Sequence, residues 1–139
     1  MIVADTSGLL ALFNAREPTH EAVHQALEGS REVLVVSPYV VAELDYLVST
    51  RIGVQAELGV LRELSGPGYE LAAIDAALLS ETAQVVEQYA DQRIGATDAS
   101  IVVLAQRHRT DRILTLDRRH FEVLRRPDGR SFTLLPAVA

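Results

Sequence analysis

Neither cysteine nor lysine occurs in the 139 residues, and aromatic side chains make up only 5% of them. Without cysteine there can be no disulfide framework and no thiolate metal site, and the composition fits a reducing compartment. Without lysine, two α/β families with acidic pockets lose a group they need at the site: the response-regulator receiver and the haloacid-dehalogenase-type phosphatase. The phosphatase also wants an aspartate two residues after the first, and Ser7 stands two beyond Asp5. A phosphate-binding P-loop is excluded because no glycine-rich stretch ends in the required lysine. Few aromatics leave little for base stacking. No apolar run approaches the roughly 18 residues of a membrane span. Met1-Ile2-Val3-Ala4-Asp5 has neither the basic nor the apolar segment of a signal peptide, so the cytoplasm is the expected location.

What is present is an ordinary globular composition, 48% hydrophobic and 23% charged, of a size that makes one domain spanning 1–139. Net charge is −6, which argues against a protein that merely coats nucleic acid. The charge is unevenly spread. Residues 1–92 carry four arginines against fourteen acids, whereas residues 93–139 carry nine arginines against five. Arginine is suited to bidentate phosphate contacts, although a solvated surface accounts for such a bias equally well.

Short apolar runs alternate with helical patterns. Ile2-Val3-Ala4, Val33 to Val36, Tyr69 to Ile74, Arg112 to Leu116 and Phe132 to Leu135 read as five strands. Helices are expected from Ser7 to Asn14, Pro18 to Glu28, Ser37-Pro38 to about Thr50, after Gly53 to Leu64, Asp75 to about Ala90, and Thr97 or Asp98 to about His108. Continuous apolar strands separated by helices predict a parallel sheet covered on both faces. Working residues in such sheets lie beyond the carboxyl ends of the strands.

Several acids occupy such positions. Asp5 directly follows the first strand, where position alone favours a helix cap over a site. Asp117 follows the fourth strand, with Thr115 on the same side by alternation, and a turn aspartate fits there as well. Asp98 lies at i−3, i−4 and i−7 from Ile101, Val102 and Ala105, so its carboxylate points inward from the first turn of a helix. A buried charge needs a partner, which favours a functional reading. In the helix after Ser37-Pro38, Glu43 and Asp45 border opposite sides of the apolar stripe, and periodicity does not choose between them. Carboxylates that converge repel one another, and a hard divalent cation would neutralise them. Oxygen donors favour Mg²⁺ or Mn²⁺ over zinc. The four histidines offer no rival site. His20 and His24, one turn apart, read as a solvated helix face, and His108 and His120, beside arginines, as surface residues within reach of phosphate.

Four segments resemble the motifs of PIN domains, in the right order and across nearly the whole chain. They are Ile2 to Leu10, Ser37 to Leu44, Gly95 to Ile101, and Leu114 to Phe121. Each motif is weak alone. The second of them selects Glu43 over Asp45. Among PIN proteins, a free-standing domain of this size most resembles the VapC toxins of bacterial toxin–antitoxin pairs. The resemblance implies a three-layer α/β/α fold with a five-stranded parallel sheet, a homodimer, a VapB-type antitoxin, and endoribonuclease action on structured RNA such as tRNA or ribosomal RNA. It implies that Asp5 and Asp98 hold the principal Mg²⁺, with Glu43 and Asp117 binding directly, through water or at a second ion.

The expected chemistry is attack on a phosphodiester by a water that the cation acidifies. Thr6, Ser7 and Thr115 are the hydroxyls expected to support the acids, and Arg93, Arg112, Arg118 and Arg119 to grip the RNA backbone. A carboxylate-lined site would also attract an arginine from an inhibitor protein. The serious rival is a scaffold of the same fold that binds RNA or protein without cutting.

Overall fold

The computed structural model describes residues 1–137. Five strands form one all-parallel sheet: β1 (Ile2–Ala4), β2 (Leu34–Val36), β3 (Tyr69–Leu71), β4 (Arg112–Leu114) and β5 (Thr133–Leu135), in the order β3-β2-β1-β4-β5. The three-layer α/β/α architecture with a five-stranded parallel sheet is the one expected from the sequence. Every residue of β1 and β2 is buried, which is why both segments are continuously apolar instead of alternating. β3 is an edge strand and largely exposed.

Seven α-helices connect and cover the strands: α1 (Thr6–Phe13), α2 (His20–Leu27), α3 (Pro38–Arg51), α4 (Val54–Leu64), α5 (Ala76–Gln88), α6 (Gly95–Arg107) and α7 (Arg118–Val123). α5 packs on α6, α3 on α4, and α1 on both α2 and α3. Ser37 caps α3, its Oγ accepting from Tyr39 N at 3.2 Å, with Pro38 in the first turn. The same hydroxyl meets Ser100 Oγ of α6 at 2.7 Å, tying the two helices together inside the core. Asp75 caps α5 by accepting from Leu78 N at 2.7 Å. From Asp98 to Ala105, α6 is buried on every side, as the central helix of a layered fold must be.

Some boundaries differ from expectation. β3 and β4 stop at Leu71 and Leu114, short of Ile74 and Leu116. Helix α6 begins at Gly95, so Asp98 is its fourth residue instead of its cap or first. The six-residue helix α7 was not expected at all. It has no side-chain cap and only Phe121 buried, so neither a capping signal nor a repeating stripe marks it.

In the order 3-2-1-4-5, the chain turns one way from β1 to reach β2 and the other way to reach β4. The cleft between the carboxyl ends of β1 and β4 is therefore the switch point of the sheet.

Candidate active site

Two of the acids leave the strands on either side of that cleft. Asp5 follows β1 and its backbone N donates to Leu114 O of β4 at 2.9 Å. Its side chain does not cap α1. Instead Oδ2 accepts from Ser7 Oγ at 3.0 Å and from Thr115 Oγ1 at 2.8 Å, with the carboxylate buried. The two hydroxyls lie 3.3 Å apart and are themselves held by backbone amides: Leu116 N donates to Ser7, and Asp117 N to Thr115, each at 2.9 Å. Thr6 stands outside this network, its hydroxyl buried without a partner.

This arrangement requires α1 to lie hard against the end of β4. A Cβ on Gly8 would sit 2.6 Å from Leu114 O, so only glycine allows the approach.

Burial raises the pKa of Asp5, its hydrogen bonds to Thr115 and Ser7 oppose that rise, and the charge of Glu43 adds to it. Glu43 is exposed on α3, and its charge is felt at Asp5. Asp45 instead meets Glu57 of α4, and that carboxyl–carboxyl contact raises the pKa of Glu57.

Asp98, buried on α6, is pushed up to about 7, chiefly by burial and then by the charge of Asp5; Asp117 adds to the rise and His120 counters it. His120 Nδ1 lies 2.9 Å from Asp98 Oδ2 and 3.1 Å from Asp117 Oδ2. Neither approach is directed as a hydrogen bond. His120 reaches this position because α7 starts immediately after Asp117 and places the residue three later on the same side. The sequence reading missed it as a site residue. The i, i+3 spacing from Asp117 was the available signal, and it carries meaning only once a helix is known to start there.

The structure therefore joins Asp5 to Ser7 and Thr115, and sets His120 against Asp98 and Asp117, while the charge of Asp5 acts on Asp98 and that of Glu43 on Asp5. The arginines divide. Arg118 and Arg119 open α7 directly after Asp117. Arg118 is partly engaged, with Nε 3.4 Å from Glu122 and a hydrogen bond to Pro136 O, while Arg119 is exposed. Arg93 is exposed in a left-handed conformation just before α6. Arg112 is not brought to the acids. It lies at the amino end of β4, the opposite edge of the sheet, in an ion pair with Glu32.

Among the described residues, no arginine pairs with any of the four acids, and one imidazole is the only basic group against them. Hard oxygen donors with an excess of negative charge, one of them a buried aspartate whose ionisation is suppressed, fit a divalent cation.

Three comparisons bear on what such a site does. A family model described as the PIN domain matches residues 2–126. Ribonuclease VapC26 of Mycobacterium tuberculosis is 58% identical over 135 residues, which cover 97% of this chain and 100% of that protein. Solved structures share the fold, two of them as follows. One is M. tuberculosis VapC20, described as a Sarcin-Ricin loop cleaving toxin, with a TM-score of 0.74 at 18% identity, over 81% of this chain and 87% of the other. The second is a toxin–antitoxin complex from Klebsiella pneumoniae, with a TM-score of 0.69 at 21% identity, over 89% and 92% of the two chains.

Proposed function

The chain belongs to the PIN-domain family and is a ribonuclease of the VapC kind, and from that premise we propose that it is the toxin of a toxin–antitoxin pair, hydrolysing structured RNA with a divalent cation. The observation that supports the metal-dependent reading is that Asp98, Asp117 and His120 offer donor atoms within 4.8 Å of one another, with buried Asp5 near enough for its charge to raise the pKa of Asp98. Asp5, Glu43, Asp98 and Asp117 would hold Mg²⁺ or Mn²⁺. When bound, such a cation supplies Lewis-acid chemistry, acidifying a water and offsetting the charge that develops at the phosphodiester.

The rest is the work of the chain's own side chains. Ser7 and Thr115 orient Asp5 through Oδ2, so the carboxylate is aimed before substrate or cation arrives. Arg118 and Arg119 adjoin the cleft and would bind phosphates of the RNA backbone, and Arg93 would extend that grip before α6. Contacts of this kind read shape and backbone, which suits a folded RNA such as tRNA or ribosomal RNA better than a linear sequence. Arg112, spent on Glu32, drops out of the proposed grip.

Among the described residues no helix is long and apolar enough to cross a membrane; we assign the activity to the cytoplasm, where its RNA would be. A VapB-type antitoxin would silence the enzyme, an inserted arginine satisfying the acids in the absence of RNA. The family resemblance also supports a homodimer.

The test is cleavage of total RNA by purified protein in Mg²⁺, set against EDTA and the variants Asp5→Asn and Asp98→Asn. Discrete products lost in EDTA and in both variants support the metal-dependent nuclease. RNA binding without cleavage in the wild type would instead indicate a non-cutting scaffold.

A further inference from the structure

We propose that His120 is a metal ligand, and that its nitrogen makes the site prefer Mn²⁺, or a neighbouring first-row cation, over Mg²⁺. The inference rests on the metal-dependent reading above and adds a ligand and a selectivity to it. Donor atoms of Asp98, Asp117 and His120 all lie within 4.8 Å of one another. The separations from His120 Nδ1 to the two carboxylate oxygens, 2.9 and 3.1 Å, match neighbouring donors on one cation. An octahedral ion with bonds of about 2.1 Å sets adjacent ligand atoms about 3.0 Å apart.

The alternative role for an imidazole beside two carboxylates is a counter-ion, with its N–H aimed along a hydrogen bond. Here Nδ1 is closed off from solvent, yet it has no directed acceptor, although the ring as a whole is 38% exposed. With the ring neutral and its proton on Nε2, the Nδ1 lone pair would be free for a cation shared with the two carboxylates. The position of the ring is fixed by the fold: Asp117 precedes α7, His120 follows one turn later, and buried Phe121 anchors the helix beside it.

A site of carboxylates alone favours magnesium, calcium and manganese, whereas an imidazole strengthens binding of first-row transition cations. The mixed set therefore shifts preference towards manganese without excluding magnesium.

Pulsed EPR of Mn²⁺ bound to the whole protein detects a directly ligated nitrogen, and calorimetric titration gives the ratio of Mn²⁺ to Mg²⁺ affinity. We expect nitrogen modulation in the wild type and none in His120→Ala, with the affinity ratio falling on the order of tenfold in that variant. His120→Asp should restore tight binding without the nitrogen signal. Bound Mn²⁺ lacking nitrogen modulation, modulation that persists in His120→Ala, or an unchanged affinity ratio would each overturn the role of His120 and leave the carboxylate site standing. If the wild type bound no Mn²⁺ at all, the metal-dependent reading would fall with it.

Discussion

Asp98 connects burial to pH dependence. In the folded, metal-free protein it holds its proton up to about 7, against an ordinary value of 3.8, because burial and the charges of Asp5 and Asp117 disfavour the anion. A raised folded-state pKa means that protonation stabilises the fold. That contribution is complete below about pH 4 and is lost as pH rises to about 7. Urea unfolding in EDTA should therefore show stability declining across that window, and Asp98→Asn should flatten the decline. Ser7 and Thr115 act on Asp5 in the opposite sense, since their hydroxyls favour its charged form. Ser7→Ala or Thr115→Val should lower cleavage about 10-fold to 100-fold with little change in overall fold, as measured by single-turnover kinetics and circular dichroism. At this scale the acids were legible. Asp5, Asp98 and Asp117 follow strands or face inward, whereas Glu43 was set above Asp45 only by the resemblance of its motif. His120 was not legible, because its role depends on a short helix that brings it back over Asp117.

Among the elements, α1 and β4 set the tolerance of the site. Gly8→Ala would gain up to about 1 kcal/mol in helix propensity. It would also drive a Cβ into the Leu114 carbonyl, a contact with backbone that cannot swing aside. Overpacking of this kind costs about 1–3 kcal/mol, and the clash wins. Thermal denaturation should show Gly8→Ala destabilised, and the displacement of α1 should cut RNA cleavage more than the stability loss explains. Helices with a chemical start signal were readable in advance, as Ser37-Pro38 for α3 and Asp75 for α5 illustrate. Gly95 enters α6 at a positive φ with no capping side chain, so sequence placed its start two or three residues late. α7 offered neither cap nor stripe.

Over the whole molecule, the arginine surplus of the last third turns out to be largely committed. Arg107 pairs with Glu81, Arg112 with Glu32, and Arg126 and Arg130 with Asp128; Arg93, Arg109 and Arg119 stay exposed, and of these Arg119 follows the cleft acid Asp117 by two residues. Counting charges along the sequence could not reveal this, because partners such as Glu32 are distant in the chain. Arg119→Ala should raise KM several-fold, leave metal affinity unchanged, and reduce the salt slope of RNA binding by about 1. Cation binding should stabilise the entire fold: at a hundred times Kd, by about 2.7 kcal/mol in the wild type and by far less in Asp98→Asn, read from thermal melts with and without EDTA. The order β3-β2-β1-β4-β5 has a further consequence on the ribosome. Asp5 and Glu43 are synthesised early, but the strand that completes their cleft is fourth of five and must slot in beside the first. A half-translated chain carries two of the four acids and no Thr115 to aim Asp5. The four acids and Thr115 can come together only when the chain is nearly finished.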